Sequence, residues 1–182
     1  MGYQPFMPGN MMPGSGSIPR FEATQQATFD SRILGYLGRA LSLELSSGQH
    51  YLAQASLAKF RNELNHAQGF VTLANEEFQH ANLLTDSMAS QGALPSGSVL
   101  SPATPTNNIV ESLKSCESIE LALIQLYTDA SQYCSNVGSH QSYDLFSRLL
   151  EEEQTQLARI NNWVEVLYHS VNLNQEPTRS FT

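Results

Sequence analysis

The feature that most restricts how this chain can fold is one glutamate in the middle of each of four apolar stripes: Glu44, Glu77, Glu120 and Glu153. Residues spaced three, four and seven positions apart share one face of a helix, so each of these carboxylates lies on a face expected to be buried. The spacing is regular, because the interval from Glu44 to Glu77 equals the interval from Glu120 to Glu153. The shift along the chain that carries Glu44 onto Glu120 therefore also carries Glu77 onto Glu153, and we call this relation the internal repeat. A buried carboxylate without a partner is unfavourable. We therefore predict four helices that bring their carboxylates to one point in a common core.

The helical period predicts four long helices, over about residues 30–60, 63–91, 109–137 and 142–170. Gly92 and Pro95 are expected to end the second helix, and Gly138 the third. Asn108 followed by Glu111 is typical of a capping box at the start of the third helix. The predicted inward stripe of the first helix comprises Leu34, Leu37, Leu41, Glu44, Gly48, Tyr51, Leu52 and Ala55.

The connection between the second and third helices, residues 92–108, contains three prolines and shows no helical period. Helices of about 28 residues are roughly 42 Å long, whereas about 17 extended residues reach roughly 56 Å. The connection can therefore return along the whole bundle, which makes the second and third helices parallel. The predicted fold class is all-α, a four-helix bundle with a long crossover between helices two and three.

The chain divides into three predicted parts. Residues 1–29 are rich in glycine, proline and methionine without periodicity, which is typical of a flexible tail. The alternative for this tail is a docking segment, because aromatic and methionine side chains are unusual in a plain linker. Residues 30–171 form the bundle, and residues 172–182 form a C-terminal tail.

Composition excludes several classes of protein. The formal net charge is −8, and an acidic surface is unsuited to nucleic acid. No apolar run approaches the roughly 18 residues of a membrane span, and the N-terminus lacks the pattern of a signal peptide, so a cytoplasmic protein is expected. Cys116 and Cys134 lie about 27 Å apart on one predicted helix, too far for a disulfide, and should be free and buried.

The four carboxylates require positive charge nearby, because like charges at close range oppose each other's ionisation. A divalent metal removes this conflict. Glu77 is followed three positions later by His80, which adds an imidazole on the same helix face, whereas Glu153 is followed at the same distance by Gln156. Carboxylates with imidazole suit iron or manganese, and a set without thiolates argues against structural zinc. The arrangement predicts a two-metal carboxylate site with one ligand altered.

At these residues the chain resembles the ferritin-like superfamily, and bacterioferritin most closely, over about Ile33 to Tyr168. The resemblance implies a di-iron centre in which Glu77 and Glu153 bridge the two irons. Glu44 and Glu120 would be terminal ligands, and Tyr51 corresponds to a tyrosine beside the centre in the family. The metal ligands that the resemblance implies are Glu44, Glu77, His80, Glu120 and Glu153. We add Gln156 as a weak ligand, and Tyr127, which the internal repeat relates to Tyr51, as a second phenol near the centre.

Two residues depart from the family pattern. Gln156 stands where the second histidine is expected, and its neutral carbonyl is a weaker ligand than imidazole, so one metal position should bind more weakly. Phe78 stands where haem-binding bacterioferritins carry an axial methionine. Phenylalanine has no ligating atom, so no haem is expected.

Three functions remain open from the sequence. The first, implied by the resemblance, is ferroxidase activity with oxygen or peroxide, followed by iron storage and detoxification in a homo-oligomer. That oligomer would be a hollow shell, built from this chain alone or with a complementary subunit. The second is a di-iron oxidase or peroxidase that acts on a small molecule and stores no iron. The third is a structural or adaptor protein on a ferritin-like bundle with a degenerate metal site.

Overall fold

The structure, a computed structural model, describes residues 30–173, with side chains described for residues 30–169. Within residues 30–173 there are four α-helices and no strand, which confirms the predicted all-α fold class. The helices are α1 (Ser31–Phe60), α2 (Leu64–Ser90), α3 (Ile109–Val137) and α4 (His140–Leu173). The predicted N-terminal tail, 1–29, lies outside the described residues, as does the C-terminal tail beyond residue 173.

Local signals place the helix ends close to where the sequence predicts them. The Asp30 carboxylate accepts the backbone N–H groups of Arg32 and Ile33 at the start of α1. Asn108 caps α3 by accepting the N–H of Glu111 at 2.9 Å, while the Glu111 carboxylate returns to the N–H of Asn107 at 2.9 Å, one position earlier than in a standard capping box. Gly138 ends α3 with a φ of 73°, a left-handed conformation that glycine adopts without strain.

Two helix limits differ from the prediction. The fourth helix begins at His140, slightly earlier than expected, because the Ser139 carbonyl already accepts the N–H of Tyr143 at 2.9 Å. Its described part extends to Leu173, beyond the expected end. The assignment of Leu52 to the inward stripe of α1 is wrong, since its side chain is exposed. Its neighbour Tyr51 takes the inward position.

The long crossover runs along α1 in the direction of that helix. The N–H of Ser101 donates to Ser46 Oγ at 3.0 Å, the N–H of Thr104 to His50 Nδ1 at 3.3 Å, and the Thr106 hydroxyl to Gln54 Oε1 at 2.6 Å. Residues that come later in the crossover thus contact residues that come later in α1. Because α1 and α2 form a hairpin, the crossover returns the chain to the far end of the bundle, and α2 and α3 run parallel as predicted.

The core consists of two apolar clusters, one toward each end of the bundle. The first includes Leu37, Leu84, Leu123 and Phe146, and the second includes Phe70, Leu113 and Ile160. Both cysteines are free and buried, one in each cluster, as the sequence predicts. None of the described helices is sufficiently long and apolar to cross a membrane. Between the apolar clusters lies a group of buried polar side chains, which form the candidate site.

Candidate metal centre

Four of the predicted ligands meet in the middle of the bundle. Ligand atoms of Glu44 on α1, Glu77 and His80 on α2, and Glu153 on α4 all lie within 4.8 Å of one another. All four side chains are buried, and the three glutamates have no exposed surface at all. His80 Nδ1 lies 2.8 Å from Glu153 Oε1 and 3.5 Å from Glu44 Oε2. The helical period delivers these groups to one point because each occupies the same height in its own apolar stripe.

Glu120, the remaining predicted carboxylate, is fully buried on α3 but lies outside this group of four. Its Oε1 accepts a hydrogen bond from the Tyr51 hydroxyl on α1. Tyr127 makes the same contact in the opposite direction, since its hydroxyl on α3 donates to Glu44 Oε1 on α1. Two reciprocal bonds therefore join α1 to α3 across the site. The internal repeat relates the two tyrosines to each other and the two glutamates to each other.

Gln156 completes the buried set on α4. Its Nε2 donates to Glu77 Oε1 at 2.9 Å, while its own Oε1 is buried and has no hydrogen-bond partner. An imidazole nitrogen would ligate a metal from this position, whereas the amide offers a carbonyl oxygen and ties its nitrogen to a neighbouring carboxylate.

The cluster holds nearly all of the unsatisfied buried polar atoms in residues 30–169. Eight side-chain atoms are buried there without a hydrogen-bond partner, and seven of them belong to this set. They are Oε2 of Glu44, Glu77 and Glu120, both carboxylate oxygens of Glu153, Nδ1 of His80 and Oε1 of Gln156. Two of them, His80 Nδ1 and Glu153 Oε1, form a close ion-pair contact at 2.8 Å. Buried polar groups are normally satisfied, and a buried set of oxygen and nitrogen atoms that can ligate a metal but lack hydrogen-bond partners fits a bound cation. The donor set of carboxylates and one imidazole, without thiolate, fits iron or manganese.

Electrostatics reinforce this fit. Burial raises the pKa of Glu44 and, more strongly, that of Glu77, and the nearby carboxylates add to the shift at Glu77. Burial and the neighbouring Glu153 raise the pKa of Glu120 to about 10. Burial opposes the charged form of His80, but the carboxylates of Glu153 and Glu44 outweigh it and raise the pKa of His80 to about 10. Without metal the site therefore retains protons at neutral pH, and cations would replace them.

Phe78 turns away from the carboxylates and packs against α1. Its ring lies so close to Gly48 that a Cβ on that glycine would stand 2.7 Å from the ring. A side chain at position 48 would therefore displace the partly exposed Phe78 ring. Phe78 brings no ligating atom to the bundle, and the absence of haem remains a prediction.

One residue beside the site was not identified from the sequence. Glu152 precedes Glu153 on α4, and its Oε2 lies 3.0 Å from His80 Nε2, on the outer side of the imidazole. As a charged residue among three consecutive glutamates, it has the sequence pattern of a solvated helix face. The internal repeat offered a signal for this position, because it relates Glu152 to Glu76, a second carboxylate directly before a predicted ligand.

Comparisons with known proteins agree with the fold. A family model for the ferritin-like domain matches residues 34–168. Among solved structures, the chain is similar to the bacterioferritin of Rhodobacter capsulatus, in a structure described as having a metal-free dinuclear site and haem iron, with a TM-score of 0.74. The two are 22% identical, and the similarity covers 84% of this chain and 99% of that one. No curated protein matches the chain.

Proposed function

The chain belongs to the ferritin-like family, and we propose that it is a ferroxidase, which binds pairs of Fe(II) ions in the buried cluster and oxidises them to Fe(III). The observation that carries this proposal is the group of four buried side chains from three helices whose ligand atoms all lie within 4.8 Å of one another, in a buried set that holds seven polar atoms without a hydrogen-bond partner. Fe(II) is the substrate, and each ion gives up one electron to oxygen or peroxide. The bound iron supplies the redox chemistry, while the protein supplies binding and geometry.

The residues take different roles in this proposal. By the resemblance to bacterioferritin, Glu77 and Glu153 would hold both metal ions between them. Glu44 and His80 complete one metal position, and Glu120 and Gln156 complete the other. Tyr51 and Tyr127 orient the two terminal carboxylates through their hydroxyl groups, which donate to Glu120 and Glu44.

We further propose that the chain assembles into a homo-oligomer that stores the oxidised iron, as expected from the resemblance to bacterioferritin. Electron microscopy tests this directly, because a hollow shell is visible without assumptions about the chemistry. The cytoplasmic location and the contribution of a complementary subunit also remain predictions. An open assembly that oxidises Fe(II) but retains no Fe(III) would instead identify a non-storage oxidase.

The alternative of a degenerate metal site rests on one observation, the replacement of the second histidine by Gln156. An anaerobic Fe(II) titration followed by exposure to oxygen separates it from the ferroxidase. We expect about two Fe(II) ions per chain, the second bound more weakly than the first, and rapid oxidation of both. A chain that binds no iron would be the structural or adaptor protein.

The weaker metal position should be improved by Gln156→His. This change replaces a neutral carbonyl by an imidazole and removes the amide that binds Glu77. We expect the second Fe(II) to bind at least about tenfold more tightly and to be oxidised faster, since even the outer partners of metal ligands alter affinity by about 10–100-fold.

The matched control is Gln154→His, which makes the same chemical change on an exposed position of the same helix. Anaerobic titration should show no change of affinity in this control. Equal affinities of both metal positions in the unmodified protein, together with no effect of Gln156→His, would contradict the assignment of Gln156.

A further inference from the structure

The two ring nitrogens of His80 face different surroundings. Nδ1 points into the cluster, 2.8 Å from Glu153 Oε1 and 3.5 Å from Glu44 Oε2. Nε2 points outward and lies 3.0 Å from Glu152 Oε2. The imidazole therefore separates the buried carboxylates from a carboxylate that has no place in the proposed ligand set.

Glu152 connects this ring to the protein surface. It lines a groove between α2 and α4 with a volume of about 710 Å³, to which His80 and Gln156 also contribute. The Glu152 side chain is 44% exposed, and its other oxygen lies 3.5 Å from Arg148 Nε on the preceding turn. A chain of polar contacts thus runs from Arg148 through Glu152 to His80, and from there to the centre.

We propose that Glu152 is a positioning residue that accepts the Nε2–H of His80 and so presents Nδ1 to the metal. This inference rests on the proposed function. When a metal replaces the proton on Nδ1, the imidazole is neutral and keeps one proton, and a carboxylate on the Nε2 side holds that proton there and leaves the Nδ1 lone pair to the metal. The same bond stops rotation of the ring and increases the basicity of the ligating nitrogen.

The internal repeat supports this role independently. It relates His80 to Gln156 and Glu76 to Glu152. Where the chain has an imidazole, the repeat-related carboxylate contacts it. Where the chain has an amide instead, the corresponding carboxylate of Glu76 pairs with Arg159, with Nη1 3.0 Å from Oε1. The Gln156 amide has no tautomer that a neighbouring carboxylate could select. The carboxylate of Glu76 is therefore free to pair with another residue, as it does.

The test uses Co(II) as the probe, titrated anaerobically into the full-length protein, with its visible absorption as a second readout. Glu152→Ala removes the acceptor, and we expect the first Co(II) to bind about 10–100-fold more weakly with an altered spectrum. Glu152→Gln keeps an oxygen that accepts the Nε2–H, so it should recover part of the affinity and the original spectrum. Glu151→Ala is the matched control, because it removes the neighbouring charge and should leave affinity unchanged.

The possible outcomes distinguish this inference from the function on which it rests. If Glu152→Ala binds Co(II) as tightly as the unmodified protein, the positioning role is wrong while the metal site stands. If Glu151→Ala weakens binding equally, the groove acts through its total charge, and the inference fails. If Glu152→Gln is as weak as Glu152→Ala, hydrogen-bond acceptance is not the cause, and the inference fails as well. An unmodified protein that binds no Co(II) would overturn both proposals.

Discussion

Replacing Glu77 by alanine is expected to abolish the paired metal site. Glu77 is fully buried, approaches Glu44, His80 and Glu153, and holds the Gln156 amide. In the proposed centre it bridges both irons, so its loss removes a ligand from each position. Anaerobic titration should show at most one weakly bound Fe(II) per chain. The rate of Fe(II) oxidation should fall by more than about a hundredfold, beyond the cost of losing an outer-sphere partner.

Two further variants make this result interpretable. Glu77→Gln keeps the shape of the side chain, so it tests the loss of the carboxylate without the cavity that alanine creates. Asp86→Ala removes an exposed carboxylate from the same helix and should leave both binding and oxidation unchanged. Iron oxidation that survives in both Glu77 variants would show that the ligand assignment is wrong.

The fold and the members of the buried cluster were accessible from sequence because they depend on periodicity. An α-helix has a fixed period, so a glutamate in an apolar stripe must be buried wherever that stripe packs. The equal intervals within the two halves of the internal repeat then place Glu44, Glu77, Glu120 and Glu153 at one height. The reciprocal pairing of Tyr51 with Glu120 and of Tyr127 with Glu44 follows the same repeat.

The remaining features depend on contacts between distant segments, which periodicity does not report. Glu152 is adjacent to a core residue, and only the orientation of the His80 ring shows that its carboxylate reaches that ring. The attachment of the crossover to His50 and Gln54 likewise depends on the path of an irregular segment. Leu52 is apolar, as core residues usually are, but α1 turns Tyr51 to the interior and leaves Leu52 exposed.

The carboxylate cluster should destabilise the protein when metal is removed, increasingly so as the pH rises. The pKa of Glu77 and that of Glu120 are higher in the folded chain than in the unfolded chain, and the pKa of Glu120 is raised to about 10. The folded state therefore holds protons that the unfolded state releases above its ordinary pKa. The contribution of these two carboxyls to the free energy of unfolding should be most favourable below about pH 4.5, where both states hold the protons. That contribution should then fall toward pH 10 by up to about 1.4 kcal/mol per pH unit for each proton that only the folded state retains.

The double variant Glu44→Gln with Glu120→Gln should relieve this cost. Glutamine is nearly the same size as glutamate. Its carbonyl oxygen can still accept the hydrogen bonds that Tyr127 and Tyr51 donate to positions 44 and 120. At pH 8 and without metal, we expect the variant to melt at least about 4 °C above the unmodified protein, since about 1 kcal/mol corresponds to roughly 2–4 °C in a chain of this size. The difference should shrink toward pH 5, where the carboxyls of the unfolded chain also retain protons.

Added Fe(II), with oxygen excluded, should reverse the order of the two proteins. Metal binds only the folded site and needs deprotonated ligands, so it should raise the melting temperature of the unmodified protein, and more at pH 8 than at pH 6. The double variant has lost two proposed terminal ligands and should gain less. Glu151→Gln with Glu165→Gln makes the same change of charge at exposed positions of α4 and should reproduce neither effect. A metal-free double variant that melts below the unmodified protein at pH 8 would show that these carboxylates do not oppose one another in a shared core, and the di-iron proposal would lose its electrostatic basis.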